Sequence, residues 1–347
     1  MISVRSFGKT PDGQDAQLFI LENGGISVYI TDFGANIVAV NVPDKNGILT
    51  DIALGFDDAS YYDEKADYLG ATVGRHANRI ENGVCELNGI SYKVAVNNGP
   101  NHLHGGKKGF NSRMFDAFVD EDTLTLSYIS PDMEEGFPGE LKFSVSFTVT
   151  QKGELEINYR AESNKDTVVN FTNHSYFNLN GAISEKSIYN HTLKVYGQAF
   201  CEADSNGLAN GKIIPVKETV LDFTTPKNLG ECLDTEDEIL IGAGGGIDHN
   251  YVLSMQRGTF RKAAEVYCEE TGIAVDCYTD QPGIQIYTGN FLDIKNGKFG
   301  ANYSKHSGIC LETQNFPNAT TYSYFPSPVL AAGDVFTSKT VYVFYTK

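Results

Sequence analysis

The chain has 347 residues, with 44 acidic against 27 basic side chains and a formal net charge of −17. That balance argues against a groove for nucleic acid or an anionic membrane surface and makes a neutral, polar small molecule the easier partner. The N-terminus, MISVRSFGKTPDG, lacks a basic region followed by an apolar core, and no stretch approaches the length of a membrane span, so a soluble, cytoplasmic protein is expected.

In chain order, the first regular signals are a weak helical pattern from Asp57 to Tyr68 and a hairpin from Val84 to Val96. The hairpin turns at Asn88-Gly89, a dipeptide suited to a type I′ turn. The clearest strand is LKFSVSFTVT, where Leu141, Phe143, Val145, Phe147 and Val149 share one face and polar residues the other. After the turn Gln151-Lys152-Gly153, Leu155, Ile157 and Tyr159 alternate with polar neighbours, which makes an antiparallel hairpin. A second weak helix is expected from Asn228 to Glu238, followed by a brief glycine-rich break from Gly242 to Gly246. Near the C-terminus, a Pro-Gly turn separates two strands within Thr279 to Asn290, and an apolar alternating run covers Gly308 to Pro317. Strands never alternate regularly with helices, so a doubly wound sheet and a TIM barrel are disfavoured. The expectation is an all-β chain, one large antiparallel β-sandwich with one or two short helices, forming a single domain over residues 1–347. The six cysteines (Cys85, Cys201, Cys232, Cys268, Cys277, Cys310) show no CxxC pairing and read as reduced thiols, suggesting neither a zinc ribbon nor a redox pair.

Glu312 stands out because an ionised carboxylate is costly to bury, yet it lies inside that last apolar run. In a strand it shares a face with Cys310 and Gln314, opposite Ile309, Leu311 and Thr313. It is either a solvated glutamate on a wet face or a base. Five other clusters bear on the choice. The glycine-rich loop from Asn97 to Gly106 carries His102 and His104, which point the same way if the loop is extended. They could ligate a metal, bond to loop backbone, or contact a substrate; Lys107 and Lys108 stand where a metal site of the cupin kind would want a glutamate. His174 would lie with Thr172, Tyr176 and Asn178 on a polar, aromatic strand face, where an imidazole can titrate and donate protons. Arg75 and Arg79 could hold a phosphate or carboxylate, or pair with the acidic surface. Gly244-Gly245-Gly246 lacks the flanking signature of a phosphate loop and reads instead as a bend presenting Asp248, and Gln281 stands at the mouth of the Pro-Gly turn.

Together and in this order, GRHANRI (74–80), NHLHGG (101–106), NHSYFNL (173–179), GIDHN (246–250), TDQPGIQIYTGN (279–290) and HSGICLETQNFP (306–317) resemble the aldose 1-epimerases, the galactose mutarotases. The resemblance implies a galactose mutarotase-like supersandwich with a shallow sugar site on its concave face and no cofactor or metal. It casts Glu312 as the base that removes the anomeric hydroxyl proton, His174 as the acid that protonates the ring oxygen, and His104 as a hydrogen-bond donor near the same oxygen. Arg79, Asp248, Asn78 and Gln281 match positions that hold sugar hydroxyls, whereas His102 matches no catalytic position. Glu312 is expected ionised and His174 protonated when sugar arrives, since a close charged pair favours both states. Many relatives carry tryptophan where this chain has Met114-Phe115 and Phe316, and the chain has none, which reduces the aromatic area expected for stacking on sugar.

The expected partner is a free monosaccharide, with no nucleic acid and no membrane, for a monomer or homodimer. Three other functions compete: a glycoside hydrolase using Asp248 and Glu312, a hexose-6-phosphate 1-epimerase whose phosphate is held by Lys107, Lys108 or Arg75, and a non-catalytic carbohydrate-binding sandwich.

Overall fold

A computed structural model describes residues 1–62 and 66–347. It is built of antiparallel sheets, the largest with nine strands, others with six and five. In the nine-stranded sheet, Leu141–Val149 pairs with Glu154–Ser163 in the register Val145 to Tyr159 and Phe147 to Ile157, and the alternate apolar side chains of both strands are buried. The period-two pattern of the sequence is therefore realised residue by residue. At the hairpin turn, Asn88 and Gly89 have φ of 53° and 76°, the left-handed pair that a type I′ turn requires.

The six-stranded sheet carries the site. Its strands are β1 (Tyr176–Phe177), β2 (Ala199–Ala203), β3 (Ala209–Pro215), β4 (Asp248–Val252), β5 (Gly283–Tyr287) and β6 (Ile309–Gln314), and their spatial order is β1-β6-β5-β4-β2-β3. Ile284, Ile286, Ile309, Leu311 and Tyr251 from one face of this sheet join Phe147, Ile157 and Tyr342 of the nine-stranded sheet in the main hydrophobic core. Burying each such side chain contributes about 1.5–3 kcal/mol, so the sheet is anchored by its inner face. The alternate residues, Gln285, Tyr287 and Glu312, are thereby turned to the opposite face, where they line a cavity.

The helical expectation within Asp57 to Tyr68 is corrected, and that from Asn228 to Glu238 is met by short helices with different bounds. Within Asp57 to Tyr68 the described residues form only a short 3₁₀ turn, Ala59–Tyr61, whose first N–H groups are capped by Asp58. Residues 63–65 lie outside the described part, and Asp67 and Tyr68 adopt left-handed φ of 45° and 58°, which ends any helix before them. The segment from Asn228 to Glu238 holds a one-turn helix and the start of another, α1 (Leu229–Leu233) and α2 (Glu238–Gly242). Asn228 and Asp237 each accept a main-chain N–H as N-caps, so the second cap restarts the chain rather than extending the first helix. Among the described residues no helix is long and apolar enough to cross a membrane. All six cysteines are free and buried.

Candidate active site

Glu312 and His174 meet at the floor of a cavity of about 500 Å³. Glu312 projects from β6, and His174 ends the short strand Thr172–His174, which pairs with Ala71–Val73. Glu312 Oε1 lies 3.6 Å from His174 Nε2, and Cys310, two residues from Glu312 on the same face, places Sγ 3.6 Å from His174 Nδ1. The glutamate is 2% exposed, so the wet-face reading does not hold. Burial, reinforced by the nearby charge of Asp248 and opposed by Arg79, raises its carboxyl well above the usual range. Burial also depresses His174 to about 4.

Desolvation thus works against a carboxylate–imidazolium pair, whereas hydroxyl groups that solvate the carboxylate work toward one.

His102 and His104 do not point the same way. His104 takes a left-handed φ of 48° and turns into the cavity, while His102 bonds to the loop itself, Nδ1 to Ala95 O at 2.8 Å and Nε2 accepting from Gly105 N at 3.1 Å. His104 Nδ1 accepts the main-chain N–H of Asn78 at 3.2 Å. A main-chain N–H can only donate, so the His104 proton resides on Nε2, facing His174 ring to ring at 5.2 Å. The ligand atoms of His104, His174 and Glu312 lie within 4.8 Å of one another, close enough to suggest a metal. The tautomer argues otherwise: a metal on His104 Nε2 would move the proton to Nδ1, against the Asn78 N–H. The set is a fixed donor beside the close Glu312–His174 pair.

Arg79 lines the cavity, with Nε donating to Asn98 Oδ1 at 3.1 Å. Asn78 also lines it, with its Oδ1 accepting the Arg79 main-chain N–H at 2.8 Å. Asp248 stands at the start of β4 and accepts Gln285 Nε2 at 2.6 Å. Gln281 is the one expected sugar contact that does not reach the cavity lining; it is buried beneath the turn, its main-chain N–H bonded to Thr279 Oγ1. Gln285 takes that place. Its signal was available in the alternation Gly283-Ile284-Gln285-Ile286-Tyr287, which puts Gln285 on a polar face, and β5 pairs it directly with Glu312. Gln285 Oε1 and Glu312 Oε2 have no hydrogen-bond partner among the described residues. Buried acceptors without partners are what sugar hydroxyls would satisfy.

The aromatic positions also differ from expectation. Phe115 packs in the core against Phe110, and Phe316 against Phe325, so neither lines the cavity. The aromatic lining comes from Tyr68, Tyr176, Tyr287 and Phe291.

Arg75 is buried and donates to the carbonyls of Ser130, Pro131 and Gly139 at 2.7–2.8 Å, a clamp on that loop rather than an anion site. Lys107 and Lys108 present their main-chain N–H groups to Glu135, and Lys108 Nζ pairs with Asp12. None of the three lines the cavity.

The sequence profile of the aldose 1-epimerase family matches residues 17–343. The chain belongs to this family. It is 44% identical to the galactose mutarotase of Sus scrofa, with 99% of each chain covered, and 40% identical to that of Homo sapiens, with 97% of each covered. A crystal structure of an aldose epimerase homologue from C. elegans superposes with a TM-score of 0.87 at 30% identity, covering 95% of this chain and 98% of that one. The aldose 1-epimerase fold thus accounts for the β-rich architecture, and the cavity occupies the sheet face that the core leaves free.

Proposed function

We propose that the chain interconverts the α and β anomers of a free hexose, galactose or glucose, by opening and reclosing the hemiacetal ring, with Glu312 as base and His174 as acid. The observation that carries this reading is the buried Glu312–His174 pair, 3.6 Å apart, beside the fixed donor His104.

Ring opening needs one proton to leave the C1 hydroxyl and one to reach the ring oxygen. When sugar hydroxyls and Arg79 solvate the carboxylate, the shared proton passes to His174 Nε2. Glu312 then takes the C1 hydroxyl proton as the C1–ring oxygen bond breaks. His174 delivers its proton to the departing ring oxygen, and His104 Nε2–H donates a hydrogen bond there. The open-chain aldehyde is left with a protonated Glu312 and a neutral His174, the state toward which burial pushes both groups. Rotation about C1–C2 exposes the other carbonyl face. Reclosure returns the ring hydroxyl proton to His174 and the Glu312 proton to the new anomeric oxygen. Protons balance over the cycle without another reactant, and each positioned acid or base supplies about 10²–10⁴-fold.

A free sugar suits the lining better than a phosphorylated one. Among the described lining residues Arg79 is the only lysine or arginine, set against Asp67, Asp248 and Glu312. The test is polarimetry on freshly dissolved α-D-galactose and α-D-glucose, with wild type beside Glu312→Gln and His174→Asn. Acceleration by wild type that is lost in both variants is expected; variants as fast as wild type would remove the pair from the chemistry.

A further inference from the structure

Asp67 lines the active-site cavity, yet the ring-opening chemistry makes no use of it. We infer that its carboxylate accepts a hydrogen bond from the 6-hydroxyl group of the sugar, so that Asp67 selects hexoses over pentoses and turns away 6-phosphorylated sugars. This rests on the ring-opening reading above.

The fold ties Asp67 to the proposed acid. Gly70 N donates to His174 O at 3.1 Å, and the Tyr176 hydroxyl donates to Asp67 O at 3.0 Å. Between these two anchors, Tyr68 sets its ring 4.8 Å from that of His104 and 5.9 Å from that of His174. Asp67 and Tyr68 hold φ of 45° and 58°, a left-handed conformation that residues with side chains keep only where surrounding contacts impose it. Among the described residues no hydrogen bond or ion pair reaches the Asp67 carboxylate, and burial alone raises it above its ordinary value. A half-buried acceptor that faces a cavity without a partner is left for a hydroxyl group.

The strand order selects which hydroxyl. Tyr176 belongs to β1 and Asp248 to β4, and the order β1-β6-β5-β4 puts them on opposite sides of Glu312. Asp67, bonded to Tyr176, therefore stands across the cavity from Gln285 and Asp248. His174, two residues before Tyr176, lies on the same side as Asp67. With C1 at Glu312 and the ring oxygen at His174 and His104, C2 runs toward Gln285 and Asp248. C5 follows the ring oxygen on the other side, and its hydroxymethyl group extends toward Tyr68 and Asp67. A pentopyranose carries only hydrogen there, and a 6-phosphate would set its charge against the carboxylate.

The experiment measures kcat/KM by polarimetry on fresh α-D-glucose and α-D-xylose, which differ only in the hydroxymethyl group, for wild type, Asp67→Ala and Asp67→Asn. The ratio of glucose to xylose is expected to fall about tenfold in Asp67→Ala and about threefold in Asp67→Asn, whose amide oxygen still accepts a hydrogen bond. Asparagine tolerates left-handed φ, so Asp67→Asn keeps the loop and separates lost recognition from lost folding. Glucose 6-phosphate should inhibit glucose turnover about tenfold more tightly in both variants than in wild type, because the repelling charge is gone. A glucose-to-xylose ratio equal to that of wild type in either variant, or inhibition by glucose 6-phosphate no tighter than in wild type, would overturn the assignment. Failure of wild type to accelerate either sugar would instead overturn the ring-opening reading itself.

Discussion

Gln285 donates its side-chain N–H to Asp248 at 2.6 Å while standing directly opposite Glu312 in the β5–β6 register. One amide thus fixes the Asp248 carboxylate on one side and borders the proposed base on the other. Its carbonyl oxygen is left free for substrate.

Replacing Gln285 by Leu removes both the Asp248 tether and the free acceptor but leaves the Glu312–His174 pair intact. A hydrogen bond to a charged group contributes about 1.5–3 kcal/mol. KM for galactose is expected to rise about tenfold, with kcat falling less, as measured by polarimetric initial rates over a range of sugar concentrations. An equal loss in kcat with KM unchanged would place Gln285 in the chemical step instead.

Glu312→Gln and His174→Asn each delete one member of the proton-sharing pair. Activity is expected to fall by about 10²-fold or more in each, and the double variant to lose little beyond the worse single one, because the two act as a unit. Thermal unfolding of Glu312→Gln should match or exceed wild type, since a carboxyl that burial disfavours is replaced by a neutral amide.

Most of the fold was legible because its strands have clean apolar alternation, as Leu141–Val149 shows. The site was legible where a strand carried the residue: Glu312, His174 and Asp248 reach one cavity. The failures were local. A strand-like reading could not foresee that His104 would turn to positive φ and part from His102, nor that Asp237 would cap a fresh helix. Gln281, which the resemblance casts as a sugar contact, is buried where the turn folds under, whereas the strand after it turns Gln285 to the cavity. The protonation of the pair depends on desolvation, which no spacing of residues reveals.

The pH profile of activity should be bell-shaped, with a wide plateau. The working form holds one proton on the pair. Below about pH 4 His174 takes a second proton and the pair can no longer accept one, which gives the acid limb. At high pH the last proton leaves as pH passes the raised value of Glu312, and the pair can no longer donate. The alkaline limb should therefore lie well above the ordinary glutamate range, and Asp248→Asn, which removes a charge that raises Glu312, should move it to lower pH. A kcat/KM profile flat from pH 3.5 to beyond pH 9, a range set about the ordinary carboxyl and imidazole values, would sink the assignment.

Gly105 has φ of +86°, and a Cβ there would meet Gly74 O at 1.8 Å. Gly105→Ala therefore displaces the loop that turns His104 inward and breaks the Gly105 N–H bond to His102. Both activity and stability are expected to fall, the latter by about 1–3 kcal/mol. Urea unfolding beside polarimetry checks this; a wild-type denaturation midpoint would show that the loop tolerates the methyl group.

Stability should fall steeply in mild acid, and the histidines set the window. All seven are depressed chiefly by burial: His76 and His191 to about 3, His102, His174, His249 and His306 to about 4, and His104 well below its ordinary value. A depressed folded pKa means that the unfolded chain binds the proton first. The stabilising contribution is thus complete above the unfolded value near 6.5 and is lost as pH falls toward about 4. Each histidine contributes a slope of about 1.4 kcal/mol per pH unit inside that window. Glu312, Asp32, Asp67 and Asp280 act in the opposite sense, since their raised carboxyls favour the folded state toward acid, but four carboxyls do not offset seven imidazoles. Urea denaturation at pH 7.5, 6.5, 5.5 and 4.5 should show midpoints close together at the first two and falling sharply through the last two. His191→Gln, which removes one buried imidazole remote from the cavity, should make the fall shallower by one proton; an unchanged slope would mean that His191 takes up no proton on unfolding.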